Sequence, residues 1–159
     1  ILATLTSKII ATMMYNDMSI DEVVATIAKT LPLSSVNGVA YSTFSIIQVY
    51  YTGEIYVVEY DNPECILVRQ GKVKALPFSY RKIEGKKIRE CRFQTLPGDA
   101  LAIMSDGCLY CGTGDIMNYR WDWNALAGCC ESSAAKTRTA AQLAEQMNVP
   151  VRILRWRMQ

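Results

Sequence analysis

In the first thirty residues, apolar side chains return at steps of three and four: Leu2, Leu5, Ile9 and Met13, then Val23, Val24, Ile27, Ala28 and Leu31. That spacing stacks them on one face of a helix. A break at residues 16–18 divides the run in two. Ser19, with Glu22 three residues later, is a capping-box pattern that starts a second helix, and Pro32 helps to close it.

From Tyr41 the period shortens. Residues 41–50 and 54–60 are rich in β-branched and aromatic side chains, and Thr52-Gly53 between them predicts a hairpin. Residues 65–68 turn at Gln70-Gly71 into residues 72–75 as a second hairpin. Ile83-Glu84-Gly85-Lys86 is a third turn, feeding a strand near residues 88–93, and Leu96-Pro97-Gly98-Asp99 is a fourth, feeding a strand over residues 100–104. Consecutive hairpins imply an antiparallel sheet or meander. After Gly107 the run CLYCGTGDIMNYR predicts a loop, residues 121–127 a short helix, and residues 134–147 a longer helix with Leu143 and Met147 on its buried side. Residues 149–156 predict a last strand. Helices, a block of strands, then helices and a strand describe an α+β layered domain, and residues 1–159 suit a single one.

Composition narrows the function classes. Half of the residues are hydrophobic, a fifth are charged and no Pro/Gly-rich linker interrupts them, so the chain suits a compact core rather than disorder. Seventeen basic against fifteen acidic residues leave a net charge of +2, far from the dense positive field of a dedicated nucleic-acid binder. No apolar stretch approaches the ~20 residues that cross a bilayer, and ILATLTSKII lacks the layout of a signal peptide. We expect a soluble, cytoplasmic protein with neither nucleic acid nor membrane as partner. The six cysteines lie in apolar segments and predict reduced thiols.

Histidine is absent. This removes Ser-His-Asp hydrolysis, the common His/Cys zinc sites and imidazole base catalysis, and leaves carboxylates and hard cations as the natural chemistry. Asp106, at the end of a strand-like run and followed by Gly107, either presents an oxygen to Mg²⁺ or Mn²⁺ or caps a Ser-Asp-Gly turn. Cys108 and Cys111 have zinc or redox spacing, but further ligands could come only from adjacent Cys129 and Cys130, and no thioredoxin-like unit surrounds them; buried free thiols are the simpler reading. Tyr60-Asp61-Asn62-Pro63 is a turn or a binding edge. Arg152, Arg155 and Arg157 around Trp156 suit a solvated edge strand.

Taken together, YSTFSIIQVYYTGEIYVVEYDNPECILVRQGKV, LPGDALAIMSDG, the loop CGTGD, a Trp-containing helix and AAQLAEQM resemble the sporulation stage II protein E-type branch of the metal-dependent protein serine/threonine phosphatases, the PPM or phosphatase 2C-like family. The match runs from the first helix to about Met147. The resemblance implies an αββα sandwich of two antiparallel sheets flanked by helices, lacking its N-terminal strands here. It implies two Mn²⁺ or Mg²⁺ ions and a metal-bridging hydroxide that attacks phosphoserine or phosphothreonine of a protein substrate. Asp106 matches the family's metal-binding aspartate, and Gly107, Asp61 and Asn62 fall in loops beside it; no catalytic residue is assigned.

The sequence also departs from the family. Members carry an Asp-Gly motif before the first long helix and a late Asp-Asp pair, where this chain begins inside the helix and reads Met147-Asn148-Val149-Pro150-Val151. One carboxylate does not hold two divalent ions against their hydration. The expectation is a phosphatase domain in bacterial-type signalling with little or no activity as this isolated chain; the alternative is a non-catalytic PPM-fold module that binds a protein. Missing first strands would expose sheet edges and favour self-association.

Overall fold

The computed structural model describes residues 2–31, 42–105, 123–134, 142 and 152–155. The two predicted helices are present as α1 (Leu2–Tyr15) and α2 (Ile20–Thr30). The capping box is formed in full: the Glu22 N–H donates to Ser19 Oγ at 3.3 Å and the Ser19 N–H donates to Glu22 Oε2 at 2.9 Å. These bonds satisfy amides that a helix start would otherwise leave without acceptors. Asp21 in the first turn of α2 is ion-paired with Arg81, whose Nε also donates to Glu90 at 2.8 Å, so the helix start is tied to the sheet below it.

Eight strands follow: β1 (Phe44–Val49), β2 (Glu54–Tyr60), β3 (Ile66–Arg69), β4 (Lys72–Lys74), β5 (Ser79–Ile83), β6 (Lys86–Gln94), β7 (Ala100–Ile103) and β8 (Arg152–Arg155). They form two antiparallel sheets, ordered β1-β2-β6-β5 and β4-β3-β7-β8. The antiparallel pairing is as expected, divided between two sheets rather than run on as one meander. β1–β2, β3–β4 and β5–β6 are hairpins, but β2 pairs with β6 rather than β3, and β7 pairs with β3 and β8.

The links themselves explain the change of sheet. The hairpin turns carry Gly53, Gly71 and Gly85, all at positive φ, with Gln70 and Glu84 also left-handed before the last two. That geometry folds a strand back onto its neighbour. Each link between sheets instead carries a proline, Pro63, Pro77 or Pro97, which fixes φ and offers no N–H to a continuing ladder.

Strand alternation then builds three apolar layers. Tyr56, Val58, Phe44, Ile46 and Ile88 face α2. Ile55, Val57, Cys65, Leu67, Cys91 and Leu101 meet between the sheets. Ile66, Val68, Ala102 and Met104 pack on α3 (Trp123–Ala134) through Leu126, Ala127 and Cys130. The result is the predicted αββα sandwich. α3 extends past the predicted residues 121–127 because Leu126, Ala127 and Cys130 all find partners on the second sheet. β8 lies at a sheet edge, as expected of that arginine-bearing segment. The predicted helix over residues 134–147 falls almost wholly outside the described residues.

Truncating the middle layer has a calculable cost. Ile55→Ala is expected to destabilise the fold by about 2–5 kcal/mol, against roughly 0.5 kcal/mol or less for Tyr51→Ala, whose side chain is exposed. Guanidinium denaturation midpoints check both. Cys65, Cys91 and Cys130 are free and buried; burial pushes the Cys91 and Cys130 thiols up to about 12 and Cys65 further in the same direction. All three should resist iodoacetamide at about pH 8 in the native protein and label fully in denaturant, because only the accessible thiolate reacts. Peptide mass spectrometry reads the outcome.

Candidate functional site

One end of the sandwich holds Asn62, among the described residues the one sequence-predicted site residue that the structure places in a cleft. Antiparallel pairing of Phe44 with Tyr60 and of Ile66 with Ala102 brings together the start of β1, the end of β2, the start of β3 and the end of β7. A cleft of about 650 Å³ opens there, with α1 as one wall through Ala3, Thr6, Ser7, Ile10 and Ala11. Residues 42–45, Asn62 and Ser105 form the rest of its lining. Asp106 is the residue after Ser105 in the chain; Asp106 and Gly107 themselves lie outside the described residues, as does the CxxC pair of Cys108 and Cys111.

The lining is uncharged, setting hydroxyls and one carboxamide among the apolar Ala3, Ile10, Ala11 and Phe44. Thr6 and Ser42 are buried, with their hydroxyls 2.9 Å apart. Thr6 donates to the Leu2 carbonyl at 2.9 Å, so the Ser42 hydroxyl supplies the proton between the two. Asn62 Nδ2 donates to Ser45 Oγ at 3.0 Å. Asn62 Oδ1 is buried with no hydrogen-bond partner among the described residues. A buried acceptor without a donor is costly, and a strained loop, a bound water or ion, or a functional role accounts for such atoms in native proteins. Asp61, by contrast, is exposed, does not line the cleft and sits in the left-handed region at φ 54°.

Beneath this loop lies an ion pair that the sequence reading does not single out. Glu59 is 1% exposed and stands opposite Arg89 across β2 and β6. Arg89 Nη2 and Nε donate to Glu59 Oε2 at 2.8 and 3.0 Å, while Glu59 Oε1 accepts from the Cys65 N–H at 3.2 Å. The available signal is positional: Ile55 and Val57 face the layer between the sheets, and alternation puts Glu59 on that same face. A carboxylate there needs a buried cation. Thr6, Ser42 and Ser45 give no such signal, because hydroxyls on a polar segment look like ordinary surface.

A second cleft, of about 740 Å³, runs along the α1–α2 connection. Its two cations are already committed: Arg81 to Asp21 and Glu90, and Arg92 to Glu54 and the face of Tyr56. The cleft beside Asn62 is therefore the better candidate site.

No protein-family model and no curated protein sequence matches the chain. Solved structures do, among them two of the phosphatase domain of the cell fate determinant SpoIIE from Bacillus subtilis. A manganese-presoaked form is 17% identical, with a TM-score of 0.58 over 97% of this chain and 74% of that one. A second form is 16% identical, with a TM-score of 0.58 over 97% of this chain and 73% of that one. The chain has the fold of the SpoIIE phosphatase domain, the PPM-type sandwich. On this phosphatase-like fold, Asn62 and Ser105 share one cleft. Among the described residues, no group of three or more carboxylates and thiols is placed to hold a metal ion, and no carboxylate lines the cleft. No described helix is long and apolar enough to cross a membrane.

The buried ion pair also carries a pH signature. Burial pushes the Glu59 carboxyl above the ordinary glutamate range, with the Arg89 guanidinium and the Cys65 amide opposing that rise. A carboxyl raised on folding binds its proton more tightly in the folded state. Its stabilising contribution is complete below the unfolded-state value and is lost as pH rises through the folded-state value. The stability of the wild type relative to Glu59→Gln is thus expected to fall as pH is raised above the ordinary glutamate range. Urea denaturation of both proteins across that window checks the slope.

Proposed function

We propose that this chain is a protein phosphatase-type domain of bacterial-type signalling that takes phosphoserine or phosphothreonine of a partner protein into the cleft between α1 and the 61–64 loop. The observation that carries this reading is the meeting of Asn62 and Ser105 at one cleft, with Asp106 next in sequence, in a chain with the fold of the SpoIIE phosphatase domain. Hydroxyls of Ser45 and Ser105 can donate to phosphoryl oxygens, while Asn62 Oδ1, an acceptor, suits an N–H of the peptide that bears them.

Two Mn²⁺ or Mg²⁺ ions, the cofactors implied by the resemblance, do not fit the described lining. Its side-chain oxygens are neutral, and hard divalent cations are held chiefly by carboxylates. Asp106 adds a single carboxylate. The described lining supports no metal-dependent step, and the hydrolytic activity of this chain is expected to be slight. The same carboxylate-free lining favours a second reading, a non-catalytic module of this fold that binds a protein segment without hydrolysing it.

Hydrolysis of p-nitrophenyl phosphate with added Mn²⁺ separates the two. The expected result is a rate near background for the wild type and for Asp106→Ala alike. A robust Mn²⁺-dependent rate that Asp106→Ala abolishes would establish the catalytic reading and show that the ligand set is more complete than the described residues supply. Titration calorimetry with Mn²⁺ gives the parallel readout, weak or absent heat being the expectation.

A further inference from the structure

We propose that Glu59 and Arg89 are positioning residues for the candidate site: their buried ion pair grips the 61–65 segment at both ends and sets Asn62 as a wall of the cleft. The inference rests on reading that cleft as the phosphopeptide end of the molecule.

The geometry is that of a clamp on a loop. Arg89 Nη2 donates both to Glu59 Oε2 at 2.8 Å and to the Asn62 carbonyl at 2.7 Å. Glu59 Oε1 receives the Cys65 N–H, three residues further on. Arg89 Nη1 lies 3.8 Å from Glu64 Oε1, and the guanidinium stacks over the Phe78 ring, its carbon 5.2 Å from the centroid. The pair therefore holds the loop's backbone before and after Pro63, and no atom of either charged side chain lines the cleft. Above it the Asn62 side chain is anchored on Ser45 Oγ through Nδ2, which leaves Oδ1 with no partner among the described residues. The left-handed Asp61 lets the chain turn sharply enough to reach this arrangement.

A pair that served only stability would be replaceable. Buried ion pairs can often be exchanged for apolar residues of similar volume with little loss of stability. Apolar side chains, however, offer neither a donor for the Asn62 carbonyl nor an acceptor for the Cys65 amide. The double variant Glu59→Leu/Arg89→Met thus separates the two roles. Arg89→Lys is the milder companion, keeping a cation without the fork that reaches two oxygens at once. Arg92→Lys, at the exposed Glu54–Arg92 pair further along the same two strands, is the control.

The primary readout is hydrogen exchange at the amides of residues 61–65, compared with those of β2 and β6. In both test variants loop exchange should accelerate by about tenfold or more while the strand amides stay protected, and in Arg92→Lys it should not change. If the double variant fails to fold, Arg89→Lys decides. Wild-type exchange at residues 61–65 in every folded test variant would overturn the clamp, and so would acceleration spread evenly over β2 and β6. The second readout is fluorescence anisotropy of a phosphoserine peptide, expected to bind about tenfold more weakly to the test variants than to the wild type. Equal affinity despite a loosened loop would overturn the assignment of Asn62 as a wall of the site. Absence of binding to the wild type itself would sink the phosphopeptide reading, while the exchange data would still decide the clamp.

Discussion

A chain that leaves one sheet and enters another must carry polar backbone through the edge of a core, and this constraint organises the whole sandwich. Peptide groups that have left one ladder and not yet joined the next need partners. Two of the three links meet the need with a buried carboxylate and an arginine. At one end Glu59 and Arg89 bond the backbone on either side of Pro63. At the other, Asp99 receives Arg69 through Nη2 at 2.7 Å and the Leu96 N–H at 2.9 Å, while Arg69 also donates to the Gln94 carbonyl. Without these partners, the apolar layer between the sheets would be bounded by unpaired peptide groups.

Much of this plan is legible in the sequence once the two kinds of punctuation are told apart. Gly-only turns keep the chain in its sheet, and Pro-bearing links send it across. Reading consecutive turns as hairpins gives most of the strands and the β1–β2 and β3–β4 pairs, but misses that β2 pairs with β6. β5 escapes detection because its residues are mostly exposed or half-buried, so no apolar period marks it. Glu59 is legible in principle as a charge on a buried register, whereas its reach to the loop backbone depends on where Arg89 arrives from a strand thirty residues away. The hydroxyls of the cleft carry no signal at all. The residue types around Asn62 suit a turn as well as a binding edge, and the structure places Asn62 in the cleft with a buried carbonyl oxygen unmet among the described residues.

The distribution of charge is as telling as the fold. The cations near the second cleft are locked to carboxylates and aromatic faces, and the described lining of the candidate site holds neutral dipoles and apolar side chains but no charge. Neutral dipoles orient an anion but do little to attract one from a distance, since long-range attraction needs net charge. Whatever draws a phosphate to this cleft must come with it or from residues beyond the described lining.

β2 is buried along both faces, from Ile55 through Glu59. Its odd positions serve the layer between the sheets and its even positions the layer under α2. A one-residue insertion inside β2 would exchange the two sets, driving Tyr56 between the sheets and turning the Glu59 carboxylate toward the helix. Over evolutionary time this strand should tolerate changes of side chain but not of length, and insertions should collect in the glycine turns on either side of the sandwich.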